Sequence, residues 1–366
     1  MEVKSGYRQT EVGVIPEDWG ILRFRDHFHI YAGGDVPKDS LSQIQSEDHP
    51  YPIFANAIQN KGLYGFTSIK RGKPDSVTIT ARGYLGHAEY RDEPFFPIVR
   101  LLVLEPTGAL DAKYTTYAIN DRVEFSIEST GVPQLTAPQV GKYAVAAPPT
   151  LEEQHTIATA LSDVDALMEG LDRLIAKKRD LKQAAMQQLL TGQTRLPGFK
   201  GEWETKRLGD IAEMGSGGTP PSSVAAYYDG DIAWVSIADM TKGGKIITNT
   251  DRNLTREGFN ICAAQMFPPR TVLYAMYASL GECSIAGIPL CSSQAILGIR
   301  PKSGLGEEYL YYYLNSQKTK VKTLGQQGTQ ANLNKGMVQD FRLALPPLPE
   351  QAAIASVLSD MDAEID

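Results

Sequence analysis

An internal repeat is the feature of this 366-residue sequence that most constrains its fold. Trp19 and Asp26 recur as Trp203 and Asp210, 184 residues later, and a glycine pair follows at the same offset in both places. Later matches at offsets of 195, 198 and 197 residues join Leu85-Gly86 to Leu280-Gly281, Pro148-Pro149 to Pro346-Pro347, and Leu161-Ser162-Asp163 to Leu358-Ser359-Asp360. Four matches in one order, at slowly growing offsets, predict two copies of one structural unit that differ by loop insertions.

The segment after each proline pair is predicted to be helical. In the first copy, apolar residues at spacings of four and three form one stripe, and a helix from about Leu151 to Leu190 would end at Thr191-Gly192. The second copy repeats this stripe up to Ile365, close to the end of the chain. A helix of about forty residues is roughly 60 Å long.

A long amphipathic helix needs a partner for its apolar face. One interpretation places the stripe in the core of its own domain. The favoured interpretation is an antiparallel pairing of the two helical copies that leaves apolar surface for another subunit. The residues predicted for this subunit interface are Ile157, Leu161, Val164, Met168, Leu171, Ile175, Ile354, Leu358 and Met361.

The remaining sequence indicates mixed globular domains. Strand-like runs, separated by Gly, Pro and Asp turns, lie at residues 77–80, 96–104, 233–237 and 271–274. Residues 309–314 are predicted to open a short helix. The predicted fold class is therefore α+β, with two similar α+β domains separated by long antiparallel coiled-coil helices in an internal pseudo-two-fold repeat.

Composition narrows the possible environments. The polar N-terminus and the lack of a long apolar run predict neither a membrane span nor export. Three cysteines without CxxC spacing favour reduced thiols in the cytoplasm over a zinc site. The net charge of −7 argues against a protein that coats DNA without selection. Residues 193–347 nevertheless carry 16 basic and 13 acidic side chains, so local basic loops remain available for specific binding.

The repeated helical motif resembles that of a known family. Pro-Pro, a spacer, Glu-Gln, Ile-Ala and Leu-Ser-Asp-x-Asp occur at 148–166 and 346–363, and the order and spacing are similar to those of type I restriction–modification specificity subunits. The resemblance covers nearly the whole chain. It implies target-recognition domains at 1–147 and 193–345, and helical spacer regions at 148–192 and 346–366. The second spacer stops at Asp366, so we expect it to be truncated relative to the first.

The resemblance also implies the function and the partners. Each recognition domain would read one half of a bipartite double-stranded DNA target, and the helices would bind two methyltransferase subunits, which recruit the restriction and translocase subunits. The chain itself would be non-catalytic and would hold no cofactor or metal. S-adenosylmethionine, ATP and Mg²⁺ would belong to the partner subunits.

Base reading requires basic, amide or aromatic side chains on loops that reach the grooves of DNA. In the first domain the candidates are Lys70, Arg71, Lys73, Arg82 and Tyr84, beside Gly72 and Gly83, which would permit close backbone approach. In the second domain they are Lys242, Lys245, Arg252, Asn253, Arg256, Gln326, Gln327 and Gln330. Each of these residues is also compatible with an ordinary solvated surface position.

Two alternatives to this scaffold remain. Pro74-Asp75 followed by Asp111-Ala112-Lys113 fits a metal-dependent nuclease pattern loosely, so a fused or standalone restriction endonuclease is the alternative function. An unpartnered DNA-binding protein is the other. The sequence contains neither a phosphate-binding GxxxxGK[ST] loop nor an Asn-Pro-Pro-Tyr tetrad, and its five histidines lack a helical pair of metal ligands.

Overall fold

A computed structural model describes residues 4–126, 134–326 and 332–365. The chain forms two compact units, Met1–Gly170 (unit 1) and Leu171–Asp366 (unit 2). The division falls inside the long helix that the sequence predicts. The predicted domain boundaries at 147, 192 and 345 stay predictions.

Unit 1 contains eleven strands in its described part and four helices begin in it. The strands are β1 (Tyr7–Thr10), β2 (Gly13–Pro16), β3 (Gly20–Arg23), β4 (Phe28–Ala32), β5 (Tyr51–Phe54), β6 (Leu63–Thr67), β7 (Ser76–Thr80), β8 (Ala88–Arg91), β9 (Phe96–Pro97), β10 (Leu101–Pro106) and β11 (Ala144–Ala147). The helices are α1 (Phe24–His27), α2 (Ala112–Arg122), α3 (Ala137–Val140) and α4 (Leu151–Leu189), the last of which continues into unit 2. Short 3₁₀ turns lie at Lys38–Ser40 and Gln59–Gly62.

Unit 2 has a similar order of elements, without a counterpart of the β1–β2 hairpin and with an additional strand, β15, in its main sheet. Its strands are β12 (Glu204–Arg207), β13 (Ala212–Ser216), β14 (Tyr228–Val235), β15 (Ile246–Ile247), β16 (Arg252–Leu254), β17 (Val272–Ala275), β18 (Cys283–Ala286), β19 (Cys291–Ser292), β20 (Ile296–Pro301) and β21 (Arg342–Leu345). Its helices are α5 (Leu208–Ile211), α6 (Ile237–Gly243), α7 (Arg256–Ile261), α8 (Glu307–Ser316), α9 (Lys318–Gln326), α10 (Lys335–Gln339) and α11 (Leu348–Ala363), with a 3₁₀ turn at Ala225–Tyr227.

The two units share one sheet topology. The main sheet has the order β4-β10-β7-β8 in unit 1 and β13-β20-β17-β18-β15 in unit 2. The second sheet, β6-β5-β9 or β16-β14-β19, contains one parallel pair in each unit, namely β5 with β9 and β14 with β19. The strands before and after each globule pair as β3 with β11 and as β12 with β21. The predicted duplication is therefore confirmed.

The first glycine of the repeated pair has the same packing role in both units. A Cβ atom on Gly33 would lie 2.3 Å from the carbonyl oxygen of Ile98, and one on Gly217 would lie 2.2 Å from that of Ser292. Both distances are far below van der Waals contact, so the strand can approach the neighbouring backbone only where it lacks a side chain. This explains why the first glycine of the pair recurs in the sequence.

The repeated Glu-Gln motif places one buried glutamine at each helix start. The Gln154 side chain donates to the carbonyl oxygens of Ala109 (2.9 Å) and Pro148 (3.0 Å) and accepts from the backbone N–H of Asp111 (2.9 Å). Gln351 repeats this pattern in unit 2, where it donates to Gly304 and Pro346 and accepts from Gly306 at 2.7–2.8 Å. Each glutamine thus joins its helix to two loops of its own globule.

The end of α4 pairs with α11 in an antiparallel manner, as predicted. The Lys178 ammonium lies 2.6 Å from the Glu364 carboxylate, and Lys182 forms an ion pair with Asp362. Residue numbers thus rise along α4 as they fall along α11. Within the described residues, no helix combines the length and apolar composition that crossing a lipid bilayer would require.

Two predicted strands differ from the structure. The run at 96–104 is two strands, β9 and β10, because Arg100 adopts a left-handed backbone conformation (φ 73°) in a turn between them. The run at 233–237 is strand only to Val235. Ser236 then caps α6, where its backbone N–H donates to Asp239 at 2.7 Å in a capping box. Local turn and cap chemistry outweighs β propensity at both positions.

Candidate nucleic-acid interface and helical surface

Basic side chains of unit 1 lie on the segment between β6 and β7. The Arg71 guanidinium stacks 5.2 Å from the ring centre of Tyr31, and the Lys70 ammonium lies 5.7 Å from that of Tyr51. Lys70 and Arg71 are both exposed. Cation–π contacts hold such side chains in place while leaving their N–H groups available. This arrangement suits recognition of an anionic or acceptor-rich surface.

Lys73 is anchored on the same segment. Its ammonium lies 3.0 Å from a carboxylate oxygen of the nearly buried Glu105, which also accepts a 2.9 Å hydrogen bond from the Tyr31 hydroxyl. Burial alone would raise the pKa of Glu105, but the hydrogen bonds from Lys73 and Tyr31 outweigh it and hold that pKa below its usual range. Lys73 is thus an exposed cation whose position is fixed by its ion pair with Glu105.

Arg82 and Tyr84 lie at the other end of β7. The backbone at Arg82 is bound by the Asn56 side chain, and the Tyr84 ring is 68% exposed. Arg71 reaches toward this end of the sheet, since a Cβ atom on Gly34 would lie 2.8 Å from its guanidinium and the neighbouring Gly33 donates to Leu101, the partner of Thr80 at the end of β7. Lys73 is held at the start of β7, because Glu105 follows Leu104, which pairs with Val77.

The glycines beside these residues have different roles. Gly72 is buried, and a Cβ atom there would lie 2.4 Å from the Phe95 ring, so its small size serves internal packing. Gly83 is exposed, with φ +75° and no atom near its Cβ position. Close backbone approach to DNA stays a prediction for Gly83, whereas the packing of Gly72 against Phe95 assigns that glycine an internal role.

In unit 2 the residues predicted to contact DNA lie near β16, and one of their positive charges, that of Lys242, is neutralised by an ion pair. The Arg252 guanidinium stacks 3.8 Å from the ring centre of Tyr228, and the Lys242 ammonium lies 2.9 Å from Asp251. The partly buried Asn253 accepts a hydrogen bond from the Thr250 hydroxyl (2.9 Å). Arg256 is exposed at the first position of α7. Arg252 and Arg256 are the stronger candidates for a DNA contact here.

Lys245 requires a correction. Its ammonium lies 3.3 Å from each of Glu308, the Tyr312 hydroxyl and the Ser359 hydroxyl, and only a fifth of the side chain is exposed. These partners make Lys245 an internal link between its loop, α8 and α11, so we assign it a structural role. Gln327 and Gln330 lie outside the described residues, and the side chain of Gln326 is not described.

The apolar stripe of α4 is divided between core and surface. Exposed members are Leu161, Val164, Met168 and Leu171, and exposed neighbours on the adjacent stripe are Leu167, Leu174 and Leu181. Ile157 and Ile175 are half-buried, whereas Met361 packs at the edge of the unit 2 core. Ile354 and Leu358 are fully buried in that core. Their burial removes them from the predicted interface with another subunit.

A hydrogen bond between a tyrosine and an aspartate occurs in both units and was not predicted from the sequence. The Tyr117 hydroxyl donates to Asp165 at 2.6 Å, and the Tyr312 hydroxyl donates to Asp362 at 2.7 Å. Burial, together with this hydrogen bond, raises the pKa of Tyr117 to about 12. The two tyrosines are 195 residues apart and the two aspartates are 197 residues apart, which are offsets of the internal repeat. The sequence could therefore have indicated that both residues recur.

Comparison with known proteins decides the family. A family model described as the type I restriction modification DNA specificity domain matches residues 16–177 and again residues 200–366. The first match includes one globular part and α4 up to residue 177, the second includes the other globular part and α11, and together they cover most of the chain. The chain belongs to this family.

Relatives of this specificity-domain protein include two specificity subunits of Methanocaldococcus jannaschii. The type I restriction enzyme MjaIX specificity subunit is 32% identical over 164 residues, which are 44% of this chain and 38% of that protein. The putative type I restriction enzyme MjaX specificity subunit is 24% identical over 401 residues, covering 98% of this chain and 90% of that protein.

Solved structures share the fold of this specificity-domain protein. The S subunit of a type I restriction-modification system from M. genitalium has a TM-score of 0.67 at 15% identity, and the match covers 100% of this chain and 92% of that one. A second chain, from a structure concerned with complex assembly and conformational transition of the type I R-M system, has a TM-score of 0.55 at 18% identity. The match covers 96% of this chain and 92% of that one.

The nuclease alternative is not favoured for this specificity-domain protein. Asp75, Asp111 and Lys113 do line one cavity of about 530 Å³. However, Asp75 accepts a hydrogen bond from the Tyr90 hydroxyl, and Asp111 caps α2 by accepting from a backbone N–H at 2.7 Å. Among the residues that the structure describes, no group of three or more His, Cys, Asp or Glu side chains is arranged to hold a metal ion.

Proposed function

We propose that this chain is the DNA specificity subunit of a type I restriction–modification complex. Its two globular parts would each read one half of a bipartite double-stranded DNA target. The observation that carries the proposal is the duplicated unit, in which a common framework presents different exposed basic loops, around Lys70–Lys73 in one copy and around Arg252–Arg256 in the other.

The proposal includes the partners and the absence of intrinsic catalysis. The exposed stripe of α4 would bind methyltransferase subunits, two in the complete complex, and these would recruit the restriction and translocase subunits. The chain would act in the cytoplasm as a scaffold. S-adenosylmethionine, ATP and Mg²⁺ would be held by the partners. The names of the relatives, which are specificity subunits, support this assignment.

Reconstitution of methylation tests the proposal. The full chain is co-expressed with the type I methyltransferase subunit of the same host, the complex is purified through a tag on this chain, and methylated bases are mapped by sequencing. We expect co-purification and methylation at one bipartite motif with an unread gap. Methylation by the partner alone serves as the control and should lack this motif.

Two results would contradict the proposal. The first is cleavage of DNA by the purified chain alone with Mg²⁺, which would favour the endonuclease. The second is sequence-selective DNA binding by the chain without any capture of the methyltransferase, which would favour an unpartnered DNA-binding protein.

A further inference from the structure

The connection between β5 and β6 in unit 1 carries exposed polar side chains that were not predicted to contact DNA. It spans residues 55–62 (the β5–β6 loop), and Asn60 and Lys61 on it are both exposed. Amide and lysine side chains form hydrogen bonds that distinguish base pairs in the major groove of DNA. The β5–β6 loop is therefore a candidate reading segment in addition to the loops already described.

The internal repeat supports this interpretation. In unit 2, β14 pairs with β16 and β19 as β5 pairs with β6 and β9 in unit 1, so residues 236–251 occupy the place of the β5–β6 loop. Lys242 lies on this connection, and Arg252 begins the strand after it. The two connections occupy one place in the framework but differ in length and sequence, as segments that read different half-sites would.

The Asn56 side chain joins the β5–β6 loop to a segment that was predicted to contact DNA. Its carboxamide accepts a hydrogen bond from the backbone N–H of Ala81 at 2.6 Å and donates to the carbonyl oxygen of Arg82 at 2.7 Å. The loop therefore adjoins the segment that carries Arg82 and the exposed Tyr84. Two segments that are distant in sequence thus meet at this part of unit 1.

The β5–β6 loop has a backbone conformation that is uncommon for lysine. Asn60, Lys61 and Gly62 are successive residues in the left-handed region, with φ values of 49°, 51° and 79°. Asparagine and glycine adopt this conformation readily, whereas lysine does so only where its surroundings hold it. Unfavourable backbone conformations of this kind are concentrated at sites that bind ligands.

The buried Arg91 holds Lys61 in this conformation. Its guanidinium donates to the Lys61 carbonyl oxygen at 2.8 Å and to the Thr78 hydroxyl at 2.9 Å. It also stacks 3.6 Å from the ring centre of Phe54. Arg91 is 4% exposed, and burial lowers the pKa of its guanidinium to about 10, which leaves it charged at neutral pH. A buried cation is costly without hydrogen-bond acceptors, so displacement of Lys61 from Arg91 would be unfavourable.

Unit 2 joins the same two parts of the framework in a different way. Arg91 ends β8 as Ala286 ends β18, at an offset of 195 residues. In unit 2, β15 belongs to the connection and pairs with β18, where Ile247 lies opposite Ala286. In unit 1 an arginine side chain takes the place of this strand pairing. Arg91 is therefore specific to the β5–β6 loop and is not required by the framework that the two units share.

We propose that the β5–β6 loop is a further specificity-determining segment of unit 1, in which Asn60 and Lys61 contact DNA bases and Arg91 is the positioning residue. This inference rests on the proposed DNA-reading function. Arg91 does not touch DNA, but it holds the backbone from which the two side chains project. Loss of Arg91 and loss of these side chains should therefore affect the same base positions.

Methylation mapping of the reconstituted complex tests the loop. Asn60→Gly and Lys61→Gly are combined in the full chain, because glycine retains the left-handed backbone while the side chains are lost. At one or more positions in the half read by unit 1, we expect the preference for the correct base to fall at least about fivefold. The half read by unit 2 should be unchanged. Gln9→Ala with Lys142→Ala is the matched control, since it removes one exposed amide and one exposed lysine outside the loop and should leave the motif unchanged.

Arg91→Met tests the positioning role, since methionine occupies much of the buried space but cannot donate to the Lys61 carbonyl group. It should relax the same base positions as the loop variant. Combination of Arg91→Met with the loop variant should relax them by no more than about a further twofold, because both changes remove one set of contacts. Arg91→Lys, which retains a cation and a donor, should restore part of the selectivity. A general loss of stability would instead lower methylation without changing the motif.

The unmodified complex distinguishes failure of this inference from failure of the proposed function. If it methylates no bipartite motif, both are overturned. If it methylates such a motif and the loop variant leaves that motif unchanged, only this inference is overturned. The inference is also overturned if Arg91→Met leaves the motif unchanged or relaxes other positions, or if the control variant relaxes the same positions as the loop variant.

Discussion

At the residue scale, the buried glutamines show why part of the repeated motif is retained in both copies. Gln154 and Gln351 are each 1% exposed, and each side chain forms three hydrogen bonds to backbone groups of neighbouring loops. A carboxamide is the side chain that can both donate twice and accept at such a position. Buried backbone groups that lose their partners cost free energy, so these positions tolerate few other residues.

Replacement of Gln351 by leucine should destabilise unit 2. Gln351→Leu keeps the size of the side chain but leaves two carbonyl groups and one N–H group without partners. At about 1–3 kcal/mol for each unsatisfied buried group, the three groups together should lower the free energy of unfolding by at least about 3 kcal/mol. Urea denaturation followed by circular dichroism measures it. Gln187→Leu, at an exposed position of α4, is the control and should change stability by less than about 0.5 kcal/mol.

At the element scale, α4 and α11 show that one apolar pattern serves two environments. The first part of α4 leaves its stripe exposed, whereas the same stripe in α11 is buried against the end of α4 and the rest of unit 2. The helical period places these side chains on one face in both copies. What covers that face depends on the elements that pack against it.

Truncation of corresponding leucines should therefore have unequal effects. Leu358→Ala creates a cavity at a fully buried position, and we expect it to lower the free energy of unfolding by about 2–4 kcal/mol. Leu161→Ala, at the same position of the repeat, should cost less than about 1 kcal/mol because the side chain is 42% exposed. Thermal and urea unfolding of both variants provide the comparison. Equal losses would show that Leu161 is covered in the isolated chain.

At the scale of the whole molecule, a framework that occurs twice in the chain carries two sets of loops. The order of strands and the glycine contacts recur, while the basic residues lie on loops that differ between the units. Under the proposed function, the two sets read different half-sites. A mutation in one set of loops should then change the recognition of one half-site and leave the other unchanged.

Substitution in one unit should relax only one half of the DNA target. Lys70→Ala with Arg71→Ala should broaden the methylated sequence in the half read by unit 1, and Arg252→Ala with Arg256→Ala in the half read by unit 2. Loss of a base contact costs about 1–3 kcal/mol in discrimination, and loss of a phosphate contact lowers the salt dependence of binding instead. Methylation mapping of the reconstituted complex, with binding measured at several salt concentrations, separates these effects.

The control for these variants lies on α4. Lys177→Ala with Arg179→Ala removes two exposed cations that are not predicted to meet DNA bases, so the motif should be unchanged. If both loop variants relaxed the same half, or if the α4 variant did so as well, the assignment of one half-site to each unit would be wrong.

Much of the architecture could be predicted from the sequence because its signals are local or repeated. The spacing of Ile157, Leu161 and Val164 predicted a helix, and α4 extends over Leu151–Leu189 as expected. The offsets between the copies predicted two units of one topology. The predicted strand ends were wrong at Arg100, which forms a turn, and at Ser236, which caps a helix. Each of these features depends on the conformation of a single residue.

The sequence by itself determined the repeat, the two spacer helices and the family, since periodicity and motif spacing are properties of the chain. Only the tertiary structure decided how each side chain is used. Lys245 and Lys70 are both lysines in Gly-containing polar loops, yet one is enclosed by Glu308 and Tyr312 and the other is exposed. Burial and ion pairing depend on residues that are distant in sequence, so identical local patterns can have different partners.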